Sequence, residues 1–286
     1  MLRIGPSTGP LNPPTPEGAQ PAKGAGLQNA LLRLDHVTKR FGRVYVADEL
    51  TLEVGKGELL GIVGPNGAGK TSLFSIISGD LTPDWGQVIL QGRVVNSLDA
   101  AQRCRLGIGR TYQVPRPFER MTVFANVLVA AQAGAGLRRQ AAHEWAFSVL
   151  EGTGLARHAN RPAGELDLLQ RKRLELARAL ATNPQLLLLD EVAAGLTDPE
   201  VAELISIVRQ ARSGGFGQED IAVVWVEHVV RALTGTVERL VCLDEGAIIA
   251  DGQPEQVLND PRVRDVYLGT EEIPAPHVPS PMRSHA

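Results

Sequence analysis

Cysteine is nearly absent from this sequence: Cys104 and Cys242 are the only two in 286 residues. Two distant thiols make neither a disulfide framework nor a zinc knuckle, so both read as small hydrophobic side chains. Aromatic residues are scarce, at 4%, which argues against a base-stacking platform for nucleic acid. Cationic excess is missing as well. The 29 Lys and Arg against 32 Asp and Glu leave a formal charge of −3, without the basic footprint of a nucleic-acid binder. No run approaches the roughly 18 uninterrupted apolar residues that a membrane span needs. The first 26 residues carry six prolines and no apolar stretch of a signal peptide. Residues 1–30 and 270–286 are therefore expected to be disordered or flexible Pro-rich tails around a folded body over 31–269.

What is present suits one large α/β domain or a core with a subdomain, with 43% hydrophobic residues to fill it. Strands are expected at Leu31–Val37, in "VYVADELTLEVG", at Leu59–Val63 and in "GQVILQGR". A helix is expected over Lys70–Ile77. From about Leu98 to Ala181 the pattern turns mostly helical, which predicts an inserted lobe. Then come the apolar strand "LLLLD", a helix over Pro199–Arg212 and the strand "IAVVWVE". A short helix near Val229–Leu233 and the strands "VERLVCL" and "GAIIADG" close the order. Apolar runs alternating with helices imply a partly parallel sheet with helices on its faces.

The stretch "GPNGAGKT", Gly64–Thr71, matches G-x-x-x-x-G-K-[ST] in full, between an expected strand and an expected helix. Glycines let consecutive amides face bound phosphates without side-chain obstruction. The candidate nucleotide-binding residues are Gly64, Pro65, Asn66, Gly67, Ala68, Gly69, Lys70, Thr71 and Ser72. Lys70 brings a point charge to the β and γ phosphates. Thr71 offers a hydroxyl to Mg²⁺, and the helix N-terminus adds partial positive charge. The matching acids end "LLLLDE". Asp190 lies at the C-terminal end of a strand, where open sheets present ligands, and can hold Mg²⁺. Glu191 can polarise the attacking water as general base.

These residues, with Tyr112–Gln113, "VEH" ending at His228 and "AAGLTDPE" after Glu191, resemble the ATP-binding cassette (ABC) ATPases over nearly all of Leu31–Gly269. The resemblance implies a P-loop α/β fold: a mixed sheet core, an antiparallel β edge and an inserted helical subdomain at about 98–181. It implies ATP and Mg²⁺ as cofactors and a head-to-tail dimer, each ATP lying between one phosphate loop and the other chain's signature motif. By position, Gln113 is similar to the glutamine that senses Mg²⁺ and the attacking water. His228 is similar to the switch histidine at the γ-phosphate. Phe41 is similar to the aromatic that stacks on adenine, though by its chemistry alone it fits a core position equally well.

The signature departs from the family's pattern of leucine, serine, any residue, glycine, glutamine. Here it reads Leu166, Asp167, Leu168, Leu169, Gln170. Asp167 can still cap the following helix, with Gln170 at the capping-box position. A carboxylate cannot donate to a γ-phosphate oxygen as a serine hydroxyl does, and it adds repulsion. Two like charges 4 Å apart cost about 4 kcal/mol at an effective dielectric of 20. Leu169 puts a branched side chain where the family brings backbone close to phosphate. A homodimer would thus hold two crippled sites. A heterodimer with an intact signature on the other chain would hold one good site, built from Lys70, Asp190, Glu191, Gln113 and His228.

The stretch Gly107–Gln132, "RLELARAL" and "VLNDPRVRDVYLG" resemble the branched-chain amino acid uptake ATPases, whose partners are a second ATPase subunit, two permeases and a solute-binding protein. This implies a peripheral place on the cytoplasmic face of the cell membrane, with residues around Arg116–Met121 as docking contacts. Cassettes of related amide uptake and of lipopolysaccharide export are similar here. Two other classes stay open: a non-hydrolysing regulatory cassette, and a soluble ABC protein of ribosomes or DNA repair.

Overall fold

The structure is a computed structural model that describes residues 30–216, 220–227 and 233–268. The tails, save Ala30, and the expected short helix at 229–233, save Leu233, lie outside the described residues.

Parallel strands buried on both faces read as continuous apolar runs, and three such runs build the centre. These are β3 (Leu59–Val63), β7 (Leu186–Asp190) and β8 (Ala222–Val226), buried at all five positions each. They belong to a six-stranded sheet of order β10-β9-β3-β8-β7-β6, with β6 at Ile108–Arg110, β9 at Arg239–Asp244 and β10 at Ala247–Gly252. All its pairings are parallel except β9–β10. A second, antiparallel sheet has the order β2-β1-β4-β5, from β1 (Ala30–Phe41), β2 (Val44–Gly55), β4 (Trp85–Leu90) and β5 (Arg93–Val94).

The period of two along a strand divides the central sheet between two hydrophobic clusters. Leu60, Ile62, Leu186, Leu188 and Val224 face one cluster with α1 (Lys70–Ser78) and the antiparallel sheet. Leu59, Val63, Leu187, Leu189 and Trp225 face the other. That cluster takes in α3 (Val123–Ala133), α4 (Arg139–Gly152), α5 (Leu168–Ala181) and α6 (Asp198–Arg212). The phosphate loop thus lies on one side of the sheet and the helical lobe on the other.

The stretch expected to be mostly helical from Leu98 contains a strand. Helix α2 (Ala100–Arg105) packs on α1 and β6, and β6 extends the central sheet beside β7. Three residues, Ile108–Arg110, are too few to show a period. What fixes the strand is non-local: a Cβ on Gly109 would lie 3.0 Å from the Ala179 carbonyl. The inserted lobe is α3–α5. Two C-terminal helices, α7 (Pro254–Asn259) and α8 (Pro261–Leu268), each open with proline, whose missing N–H costs nothing at a helix start.

Arg103 on α2 is 1% exposed. Its guanidinium donates to the Ile76 and Ile77 carbonyls at 2.6 and 2.9 Å, in the last turn of α1, and to the Leu98 carbonyl at 3.1 Å. It satisfies helix-end acceptors that have no partner within α1. Arg103→Met should lower the unfolding free energy by about 2–4 kcal/mol, since the buried carbonyls lose their donor. Urea unfolding checks this, and an unchanged midpoint would contradict it.

Candidate active site

The loop between β3 and α1 is wedged against the rest of the chain. Gly64 has φ +155°, and a Cβ there would stand 2.2 Å from the Leu243 carbonyl oxygen. Gly69 has φ +99°, and a Cβ would stand 2.3 Å from the Val46 carbonyl oxygen. Both positions need glycine for space as well as for conformation. Lys70 curls back into the loop, its Nζ donating to the Gly64 and Pro65 carbonyls at 2.6 and 2.9 Å. Burial pulls the Lys70 ammonium below its ordinary range, opposed by the charges of Glu191 and Asp190. Thr71 is exposed at the helix start and Ser72 is half-buried beside it.

Asn66, Gly67 and Ala68 line a cavity of about 560 Å³ with Val44, Tyr45 and Asp244. Phe41 ends β1 and is 55% exposed, with Lys39 Nζ 5.5 Å from its ring centroid. The aromatic lining the cavity is Tyr45, which is 43% exposed. Sequence reading missed Tyr45 because it stands in an alternating strand pattern and carries no local motif.

Of the two adjacent acids, Glu191 is the one in contact with Gln113. The Gln113 side-chain amide donates to Glu191 Oε2 at 2.5 Å. Glu191 adopts φ +48°, left-handed for a residue with a side chain, in the turn after β7. Such strain persists where neighbours over-determine it. Here the Glu191 amide donates to the Val226 carbonyl at 2.9 Å. Asp190 is 2% exposed. Its Oδ2 lies 3.3 Å from Arg110 Nη2, while its buried Oδ1 has no hydrogen-bond partner among the described residues. Burial raises the Asp190 carboxyl above its ordinary range, opposed by Arg110. A buried carboxylate oxygen without a hydrogen-bond partner among the described residues, near enough to act on the charge of Lys70, fits a group that meets Mg²⁺ or its water. The exposed Thr71 hydroxyl fits the same ion. Arg110 was not legible as a site residue: it is 80 positions from Asp190 and meets it only through the β6–β7 pairing.

The altered signature opens α5. Asp167 is its N-cap, accepting from the Gln170 amide at 2.8 Å, while the Gln170 side chain accepts from the Asp167 amide at 3.4 Å. The capping box is therefore intact. Leu169 is partly buried against the lobe's hydrophobic cluster, and the leucine left exposed, at 46%, is Leu168. Leu169 therefore presents less side chain at the outer surface than its place in the motif suggests, and the departure there rests mainly on Asp167. Leu166 is buried. The basic run that follows is engaged inside the chain. Arg171 donates to the Leu166 and Gly164 carbonyls, both at 2.8 Å. Lys172 is buried, and Arg173 pairs with Glu203. His228 lies outside the described residues. Its neighbour Glu227 is buried, with Oε1 accepting from the Ala193 amide at 2.8 Å and the Trp225 indole at 3.1 Å.

A phosphate loop at the end of a parallel strand, with an Asp–Glu pair at the end of a nearby one and a helical lobe inserted between, defines a P-loop nucleotide hydrolase. Residues 47–194 match the family described as ABC transporter, and residues 247–273 match that described as branched-chain amino acid ATP-binding cassette transporter. The chain belongs to the ABC transporter family, as an ATP-hydrolysing, ATP-binding subunit homologous to the branched-chain amino acid uptake ATPases. It is 35% identical over 257 residues to the high-affinity branched-chain amino acid transport ATP-binding protein LivG of Escherichia coli, covering 85% of this chain and 99% of LivG. Identity and coverage are the same for BraF of Pseudomonas aeruginosa. The lipopolysaccharide export ATP-binding protein LptB of Acidithiobacillus ferridurans is 35% identical over 245 residues, covering 84% and 98%. Among solved structures, the ADP conformation of MJ1267, an ATP-binding cassette of an ABC transporter, superposes with a TM-score of 0.75. It is 30% identical and covers 84% of this chain and 99% of that one. The dimeric bacterial cassette MJ0796 gives a TM-score of 0.68 at 25% identity, covering 78% and 98%.

Proposed function

We propose that this chain drives uptake of branched-chain or related amino acids from the cytoplasmic face of the cell membrane. Its partners are transmembrane permease subunits, a second ATPase subunit and, indirectly, a solute-binding protein, with no nucleic acid involved. The observation that carries this reading is the family match at both ends of the cassette, including 247–273. That C-terminal match favours amino acid uptake over lipopolysaccharide export, although LptB is similar in identity.

In this reading the amides of Gly64–Thr71 cradle the phosphates of ATP, and Lys70 leaves its two carbonyls for the β and γ phosphates. Phe41 or Tyr45 stacks on the base. Thr71, Gln113 and Asp190 would hold Mg²⁺, which would neutralise charge on the phosphates. Glu191 takes the proton of the attacking water, Gln113 orients that water, and His228 donates to the γ-phosphate. Exposed Tyr112, Val114, Phe118 and Val129, with Arg178 5.3 Å from the Phe118 ring centroid, suit a permease surface between core and lobe. With Asp167 in place of the serine donor, and Leu169 in place of glycine, the signature is poorly fitted to a second nucleotide, so the chain pairs with a cassette whose signature is intact. The test is affinity purification of the tagged chain from detergent-solubilised membranes of its own host. Recovery of a permease and a second cassette, with loss of branched-chain amino acid uptake on deletion, is expected. Recovery of the chain without any membrane protein, or unchanged uptake, would refute the assignment.

A further inference from the structure

Lys172 is 4% exposed, on the first turns of the helix that the signature opens. Burying an ammonium is costly unless hydrogen bonds and opposite charge offset it. Its Nζ lies 3.1 Å from the Glu191 carbonyl oxygen and 3.3 Å from the Gln113 carbonyl oxygen. Those two residues are the pair whose side chains meet at 2.5 Å. One ammonium therefore grips the backbones of both, and the buried Glu227, Glu191 and Asp190 supply the opposite charge around it.

The grip has a mechanical consequence. The Glu191 carbonyl also accepts from the Ala194 amide at 3.2 Å, and Glu227 accepts from the Ala193 amide at 2.8 Å. The turn after β7 is thus held by Lys172 on one side and Glu227 on the other, with Glu191 at φ +48° between them. Releasing one holder lets the left-handed residue relax and swings its carboxylate. Lys172 is thus a point where the helix opened by the signature touches both Gln113 and Glu191.

We propose that Lys172 is a positioning residue that couples the signature helix to Gln113 and Glu191 of the same chain, so that the helix's placement sets the aim of the catalytic carboxylate. This rests on the reading of Glu191 as the base. The test is hydrogen exchange of the full chain beside Lys172→Met, Lys172→Arg and Glu191→Gln, with ATP affinity measured for each. Lys172→Met should speed exchange over 190–196 and 112–115 at least tenfold. Protection over 59–63 and 222–226 and the ATP dissociation constant should stay within twofold. Lys172→Arg, which keeps charge and donors, should restore protection. Unchanged exchange over 190–196 in Lys172→Met, exchange in Lys172→Arg as fast as in the Met variant, or exchange raised equally everywhere would overturn the proposal. Glu191→Gln should leave the exchange pattern intact. If Glu191→Gln keeps full turnover in the assembled complex, the reading of Glu191 fails, whereas the exchange result bears on Lys172 alone.

Discussion

Glu191→Gln should lower Mg-ATP turnover at least about a hundredfold, since general-base catalysis contributes roughly 10²–10⁴. The geometry supports a clean effect. Glutamine keeps an oxygen that can accept from the Gln113 amide, now at 2.5 Å from Glu191, so the turn should hold its shape. What is lost is the ability to take a proton. Lys70 and the loop amides are untouched, so the ATP dissociation constant should stay within twofold. Turnover of the purified membrane complex, with equilibrium binding of ATP to the chain, checks both halves. A rate near that of the native chain would show that proton transfer runs through another group.

In that Glu191→Gln background, Asp167→Ser with Leu169→Gly should tighten ATP-dependent self-association at least about tenfold. Each symmetric dimer would bury two Asp167 carboxylates near two γ-phosphates. The gross repulsion is about 4 kcal/mol per contact at 4 Å and an effective dielectric of 20. Mg²⁺ offsets part of it. The adjacent cations are committed elsewhere: Arg171 to loop carbonyls, Lys172 to the Gln113 and Glu191 carbonyls and Arg173 to Glu203. A residual penalty of only about 1.4 kcal/mol is already tenfold in the association constant. Serine at 167 keeps the N-cap, whereas Leu169 packs on the lobe's cluster and glycine weakens a helix, so Asp167→Ser alone, run beside the double variant, separates the electrostatic effect from any loosening of α5. Sedimentation equilibrium with saturating ATP reads the constant, and equal association of both proteins would remove the electrostatic argument.

The parts of this site that lie close together along the chain are legible in the sequence. The phosphate loop, the Asp190–Glu191 pair and the Asp167–Gln170 capping box are each set by neighbours within a few residues, and the structure folds each as expected. The strands Leu59–Val63 and Leu186–Asp190 stand out as apolar runs because both faces are covered. What escapes a sequence reading is fixed across the fold. Ile108–Arg110 becomes a strand only because β7 accepts it, and that pairing is what carries Arg110 to Asp190. Lys172 reads as one of three cations after the signature. Only the packing of α5 against the turn at Glu191 separates it from Arg171 and Arg173. The exposed leucine of the signature is Leu168, because the helix turns Leu169 toward the lobe's cluster, and a motif alone does not carry that rotation. Tyr45 reaches the cavity through the placement of β2 over the loop, invisible in an alternating strand.

If the chain's own acids Asp190 and Glu191 are competent and its signature is the defect, restoring the signature restores turnover. The most direct test is Mg-ATP turnover per chain against protein concentration, for the native sequence beside Asp167→Ser with Leu169→Gly. The restored chain should hydrolyse with a rate per chain that climbs as dimers form, at least about tenfold above the native chain at the highest concentration. Native turnover that climbs just as steeply to the same plateau would contradict the claim and return a homodimer of this chain as the working ATPase.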